Sequence, residues 1–239
     1  MKLTDFEALT FDCYGTLIDW ETGIAAALQP WARRHGLKTD DAALLATYGR
    51  HEHALQSQRP APLYPEVLAG TLRAAGAELG LEVGDEEAAA FGASVEDWPA
   101  FPDSVAALAY LKRYYKLVIV SNIDRASFAH SNERLGVDFD LVVTTEDVGS
   151  YKPAPAHFER ALAGLAEMGV PKDKVLHTAQ SLFHDHVPAK KHFAMTSIWI
   201  NRQAGKPGAT PAADFEVTPD WEVPSMAAMV ELHKAHLAG

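Results

Sequence analysis

The sequence predicts an α/β protein: a doubly wound (Rossmann-like) parallel sheet with an inserted α-helical cap domain. Three observations carry that expectation. Short runs rich in β-branched or aromatic residues recur along the chain, helical patterns fill the spaces between them, and one long stretch near the start holds helical patterns only.

The strand runs are ALTF (8–11), KLVIVS (116–121), LVVTT (141–145), KVLHTA (174–179) and TSIWIN (196–201). Strand, helix and strand in repetition means βαβ units, which wind into a parallel sheet. Between Leu17 and about Pro99 no strong strand occurs. Segments rich in Ala, Leu, Glu and His predict helices over 21–35, 40–57, 64–79 and 85–95, punctuated by Gly36, Pro60, Pro62, Gly80 and Gly84. The expected domains are a core of residues 1–17 plus 100–239 and a cap of residues 18–99, over the carboxyl edge of the sheet. The chain re-enters the core near FPDSV, where Asp103 or Pro102 is placed to start a helix. GKPGATPAADF (205–215) reads as a loop, and the tail from Pro224 as a surface helix.

Composition narrows the partners. A net charge of −11 argues against nucleic acid or an anionic membrane, though not against a small anionic substrate, because local fields decide that. No apolar run approaches the ~20 residues of a membrane span, and MKLTDFEALTF lacks the apolar region of a signal peptide. The expectation is a soluble, cytoplasmic protein. The single cysteine, Cys13, excludes an internal disulfide and reads as a buried small hydrophobe.

In an open parallel sheet, ligands bind beyond the carboxyl ends of the strands. Asp12, Tyr14 and Gly15 follow the first strand run, Ser121 and Asn122 end the second, and SYKPAP with Lys152 follows the third. Gln180, Ser181, His184 and Asp185 follow the fourth. Each has a plain structural reading: Asp12 capping a turn, Ser121 and Asn122 forming one, Lys152 on the surface, Asp185 beside a helix N-terminus. Together they converge two carboxylates, an ammonium, a hydroxyl and an amide. The pairs HEH (51–53) and HDH (184–186) have a spacing that on a helix sends their rings to different faces, so no zinc site is expected.

Those four segments, in that order, resemble the haloacid dehalogenase superfamily. FDCYGTL, SNID, YKP and SIWINR, with TPDWEV near the end, resemble its L-2-haloacid dehalogenase branch. The resemblance implies a nucleophilic Asp12 and a further acid two residues on in the magnesium-dependent phosphatases. Here that position is Tyr14, and Gln180 stands where the first acid of the fourth motif belongs. A hard Mg²⁺ ion needs carboxylate oxygens, and a phenol with a pKa near ~10 is no substitute for a carboxylate acid/base. A reaction without metal or other cofactor is therefore expected.

The resemblance further implies that Asp12 displaces halide from a short 2-halo carboxylic acid and that water then hydrolyses the ester. Asp185 would orient or deprotonate that water, and Lys152 would hold Asp12, with Ser121 in support. Asn122 would contact the halide, with Tyr14, Gln180 and His184 lining the substrate pocket. His184 could donate a hydrogen bond to a smaller halide such as fluoride. A cap arginine belongs to the same set, with Arg50 in TYGRHEH the candidate and Arg59 the fallback. Relatives of this kind suggest a homodimer. The competing expectations are a magnesium-dependent phosphatase and a non-catalytic member that binds a small acid or a protein.

Overall fold

The computed structural model describes residues 1–202 and 217–239. Five strands coincide with the apolar runs: β1 (Ala8–Phe11), β2 (Lys116–Ser121), β3 (Leu141–Thr144), β4 (Val175–Ala179) and β5 (Thr196–Ile200). A sixth, β6 (Trp221–Val223), was not expected. It is three residues long, carries a charged Glu222 and lies between Pro219 and Pro224, so it has neither the length nor the composition of a strand signal. The six form one parallel sheet in the order β3-β2-β1-β4-β5-β6. The chain winds outward from β1 in both directions, so the point where the order reverses lies between β1 and β4.

Between β1 and β2 run four helices: α1 (Trp20–Arg34), α2 (Asp41–Gln56), α3 (Tyr64–Glu78) and α4 (Asp85–Ala93). Their starts have local chemistry. Asp19 accepts the Thr22 N–H at 3.1 Å, Asp40 accepts the Ala43 N–H at 2.9 Å, and the Glu66 carboxylate accepts the Leu63 N–H at 2.8 Å. Helices then alternate with strands: α5 (Ser104–Leu111), α6 (Arg125–Leu135), α7 (Thr145–Val148), α8 (Ala156–Glu167), α9 (Val187–Phe193) and α10 (Met226–Ala238). Asp103 directly precedes α5, but its carboxylate accepts the Ala227 N–H and pairs with Arg202 instead of capping the helix.

The tail helix differs from the expectation of a surface helix. Met226, Met229, Val230 and His233 of α10 are buried, and the helix packs against α5. The loop expected over 205–215 lies outside the described residues. No helix among the described residues is long and apolar enough to cross a membrane.

Every residue of β1 is buried, as a central parallel strand covered on both faces must be. On one face, Val118, Val120, Val143, Phe158 and Leu165 form a compact cluster. On the other, Leu9, Phe11 and Ile119 belong to a larger cluster that continues into the helical insertion through Trp98, Ile24, Trp31 and Leu68. The insertion and the sheet thus share apolar packing, which fixes its helices over the strand ends. Cys13 sits inside this cluster, fully buried. Gly23 of α1 lies directly against Trp98: a Cβ there would come within 2.4 Å of the indole Cγ. Gly23→Ala is therefore expected to cost about 1–3 kcal/mol by overpacking, read as a lowered urea midpoint with an unchanged slope.

Candidate active site

β1 stops at Phe11, which pairs with Ile119 on one side and Thr178 on the other, close to the ends of β2 at Ser121 and β4 at Ala179. The residues that follow these strands therefore emerge side by side at the switch point. Asp12 is buried there, its N–H donating to the Thr178 carbonyl at 3.1 Å. Its Oδ2 accepts the Thr16 hydroxyl at 2.8 Å, and Thr16 Oγ1 in turn accepts the Gln180 N–H at 2.9 Å. Thr16 thus ties the Asp12 turn to the fourth segment.

Lys152 joins the segments. Its buried Nζ donates to Asp12 Oδ1 at 2.9 Å, Asp185 Oδ1 at 2.7 Å and the Val120 carbonyl at 2.8 Å. Asn122 locks the lysine backbone from both sides: Oδ1 accepts the Lys152 N–H at 2.6 Å, and Nδ2 donates to its carbonyl at 3.2 Å. An amide nitrogen has two protons, so one remains for a ligand. The Ser121 hydroxyl is buried at the same place with no partner.

Asp185 reaches the site on a π-helical turn, Leu182–His186, in which the His186 N–H donates to the Ser181 carbonyl five residues back. Such wide turns are frequent at functional sites because they re-aim one side chain. Asp185 Oδ1 also lies 3.3 Å from His177 Nε2, while Oδ2 is buried and has no partner. His177 Nδ1 is 2.9 Å from the Thr10 hydroxyl, so β1 and β4 jointly brace the second carboxylate from below.

Burial raises the Asp12 and Asp185 carboxyls above the ordinary range, against the pull of Lys152, and the two carboxylates hold the lysine in its charged form. Burial beside the Lys152 charge lowers His177 and His184 to about 3, so both are neutral near pH 7.

Above this floor is a cleft of about 600 Å³, counted out to its mouth, lined by thirteen residues. They include seven of the sequence candidates outside Arg50 and Ser121, namely Asp12, Tyr14, Asn122, Lys152, Gln180, His184 and Asp185, and Ser121 lies with them. The Tyr14 hydroxyl bonds the Ser131 hydroxyl at 2.8 Å, so its ring faces the cleft while its polar end is engaged below. Its phenol is pushed well above its usual value by burial and stays protonated.

Arg50 is a correction. It is exposed on α2 and paired with Glu78 Oε1 at 2.5 Å, away from the cleft. Arg59 donates to the Gln56 and Gln58 carbonyls and does not line the cleft either. The inward face of α2 carries Leu44, Tyr48, Glu52 and Gln56, spaced by four, and a residue two positions from Tyr48 points the other way. That spacing was present in the sequence, but it does not by itself say which face of the helix meets the cleft. Ser181, named among the strand-end residues, lines the cleft too, whereas Thr16, Trp20, Glu52, Gln56, Tyr64 and His177 were not singled out as site residues, mostly because no short motif marks them.

The donor set does not fit a magnesium ion. Lys152 Nζ already engages one oxygen of each of the two carboxylates, and Tyr14 and Gln180 supply no further carboxylate. Among the described residues, no group of three or more His, Cys, Asp or Glu side chains is placed to hold a metal ion. The two histidine pairs behave accordingly: His51 bonds Glu78, and His186 bonds the Ala179 carbonyl and Ser197 in the core.

The model of the haloacid dehalogenase-like hydrolases matches residues 6–178. The chain belongs to this family. An (S)-2-haloacid dehalogenase of Pseudomonas sp. (strain YL) is 32% identical over 136 residues, 55% of this chain. The match spans about half the length of that relative, 52%. The solved L-2-haloacid dehalogenase RSc1362 superimposes with a TM-score of 0.75 at 26% identity, covering 96% of this chain and 99% of its own. A putative HAD-hydrolase from Bacillus subtilis, solved bound to magnesium, gives 0.77 at 18% identity, with 96% and 99% covered. At that identity the likeness is one of fold alone.

In this haloacid dehalogenase-like hydrolase the buried charge of Asp12 costs stability at neutral pH, because its folded pKa is raised above the unfolded value. Asp12→Asn is therefore expected to unfold no earlier than the wild type. Its advantage is absent well below the unfolded carboxyl's pKa of about 4, where both side chains are neutral, grows as pH rises from there, and is complete above the folded pKa. Urea unfolding of both proteins across the acid range measures this.

Proposed function

We propose that this protein is a hydrolytic dehalogenase acting on short 2-halo carboxyl compounds through an ester on Asp12, without a metal. The reference substrates are the 2-halo acids for which its relatives are named. The observation that supports it best is the buried Lys152 ammonium bonded to both Asp12 and Asp185, under a cleft walled by aromatic rings. A carboxylate held this way has no proton to lose before attacking carbon.

In the first step Asp12 attacks the carbon bearing halogen, the carbon–halogen bond breaks, and halide leaves with the electron pair. The second N–H of Asn122 and the Ser121 hydroxyl are the donors available to the leaving group. Ester formation removes the negative charge of Asp12, so Lys152 is left paired with Asp185. In the second step water attacks the ester carbonyl of Asp12. Asp185 Oδ2, unpartnered at the floor, orients that water and takes its proton. Lys152 stabilises the oxyanion that forms. Residues 18–99 act as the cap that closes the cleft and excludes bulk water.

Halide release from 2-chloro carboxyl compounds is expected to persist in excess EDTA. Dependence on added Mg²⁺ would instead support a phosphatase. Asp12→Asn is expected to lower turnover more than about a hundredfold, a loss above ~2.7 kcal/mol in activation free energy, with mass spectrometry checking that the asparagine has not deamidated. In a single turnover in ¹⁸O water, label is expected in the peptide containing Asp12 and not in the product. Label in the first product alone would make Asp12 a general base.

A further inference from the structure

We infer that the end of the substrate remote from the halogen is a neutral hydrogen-bond donor, in the first place a primary amide, received by Glu52 of the helical insertion. The inference rests on the dehalogenase reading for the reaction, but not for the binding.

The cleft has two walls of different chemistry. The floor holds Asp12, Lys152 and Asp185, and there the single ammonium is already shared between two carboxylates. The opposite wall holds Trp20, Tyr64, Gln56 and Glu52. Among the described residues lining the cleft, Lys152 is the one cation. Arg50 is bound to Glu78 on the outside, and Arg202, which does not line this cleft, bonds the Thr16 carbonyl and Asp103 while lying over the Phe101 ring. A substrate carboxylate would therefore enter a cleft with three carboxyl groups and no uncommitted positive charge.

Glu52 is built in, not incidental. The Tyr48 hydroxyl donates to its Oε1 at 2.8 Å and the Tyr64 hydroxyl donates to the same oxygen at 2.9 Å. Gln56 lines the cleft beside it. The tyrosines are in turn fixed by packing: Tyr48 is buried against Phe91 and Trp20, and Tyr64 lies edge-on to Trp98. Phenol donors favour the acceptor form of a carboxyl, while burial opposes them and raises it above its usual value. A group so held offers a ligand an acceptor, and the ligand that complements it brings N–H.

The same chemistry suits the reaction. An anionic nucleophile approaches the α-carbon of an amide without the charge repulsion it meets at a carboxylate. The balance is a 2-halo amide plus water giving a 2-hydroxy amide, halide and a proton. Asp12 forms and loses its ester bond, and Asp185 takes the proton of the water.

The test separates binding from turnover. Calorimetry of the wild-type protein with lactamide and with lactate, neither of which carries a halogen, is expected to show lactamide bound at least about tenfold more tightly, where one factor of ten is ~1.4 kcal/mol. Glu52→Gln is expected to abolish or reverse that preference, because its amide can donate to a carboxylate. Equal or tighter binding of lactate by the wild type overturns the inference even where the variant does not fold, and so does a preference unchanged in a folded Glu52→Gln. Halide release from 2-chloropropionamide and 2-chloropropionate is measured alongside. Release from the acid with the higher kcat/KM overturns this inference and leaves the dehalogenase reading standing. Glu52-dependent lactamide binding with no halide from either compound upholds the inference and removes that reading.

Discussion

The Lys152 ammonium, bonded to Asp12, Asp185 and the Val120 carbonyl within 2.9 Å, is the contact on which the rest of the site depends. Two buried carboxylates facing one another without it would repel at short range in a poorly screened interior. A buried ammonium without the carboxylates would give up its proton. Each charge is tolerated because the others are there, and the cluster is worth more as a chemical device than as a source of stability. Its geometry is set by main chain: Val120 is in β2, and Asn122 clamps the Lys152 backbone on both sides.

Parallel strands bring these groups together. β1, β2 and β4 end within two residues of one another, so residues distant in sequence emerge at one edge. His177 and Thr10, on neighbouring strands, support Asp185 from beneath, and Thr16 joins Asp12 to the main chain of Gln180. The apolar cluster that runs from β1 through Trp98 into the helical insertion holds the other wall of the cleft in register with the floor. Packing far from any reacting atom thereby decides where Glu52 and Tyr64 stand relative to Asp12.

The cleft is asymmetric in charge. Its floor holds the Lys152 ammonium between the Asp12 and Asp185 carboxylates. Its far wall carries the Glu52 carboxyl where the family resemblance implied a guanidinium. On the reading proposed above, reaction and recognition fall to separate parts of the molecule, the sheet and the insertion.

The sequence by itself determined the strands, the insertion's helices and the floor of the site. Buried parallel strands are runs of β-branched residues, and helices announce themselves by period and punctuation; both are local properties. Asp12, Ser121, Asn122, Lys152 and Asp185 were legible because strand ends are the place where a parallel sheet exposes chemistry. The edge strand Trp221–Val223 was not legible, since its pairing with β5 and not its composition makes it a strand. The burial of the final helix was decided by what α5 presents to it. Above all, tertiary structure alone decided the far wall. A side chain two positions along a helix points to the opposite side, so the phase of α2 against the sheet turned Arg50 outward and brought Glu52 to the cleft.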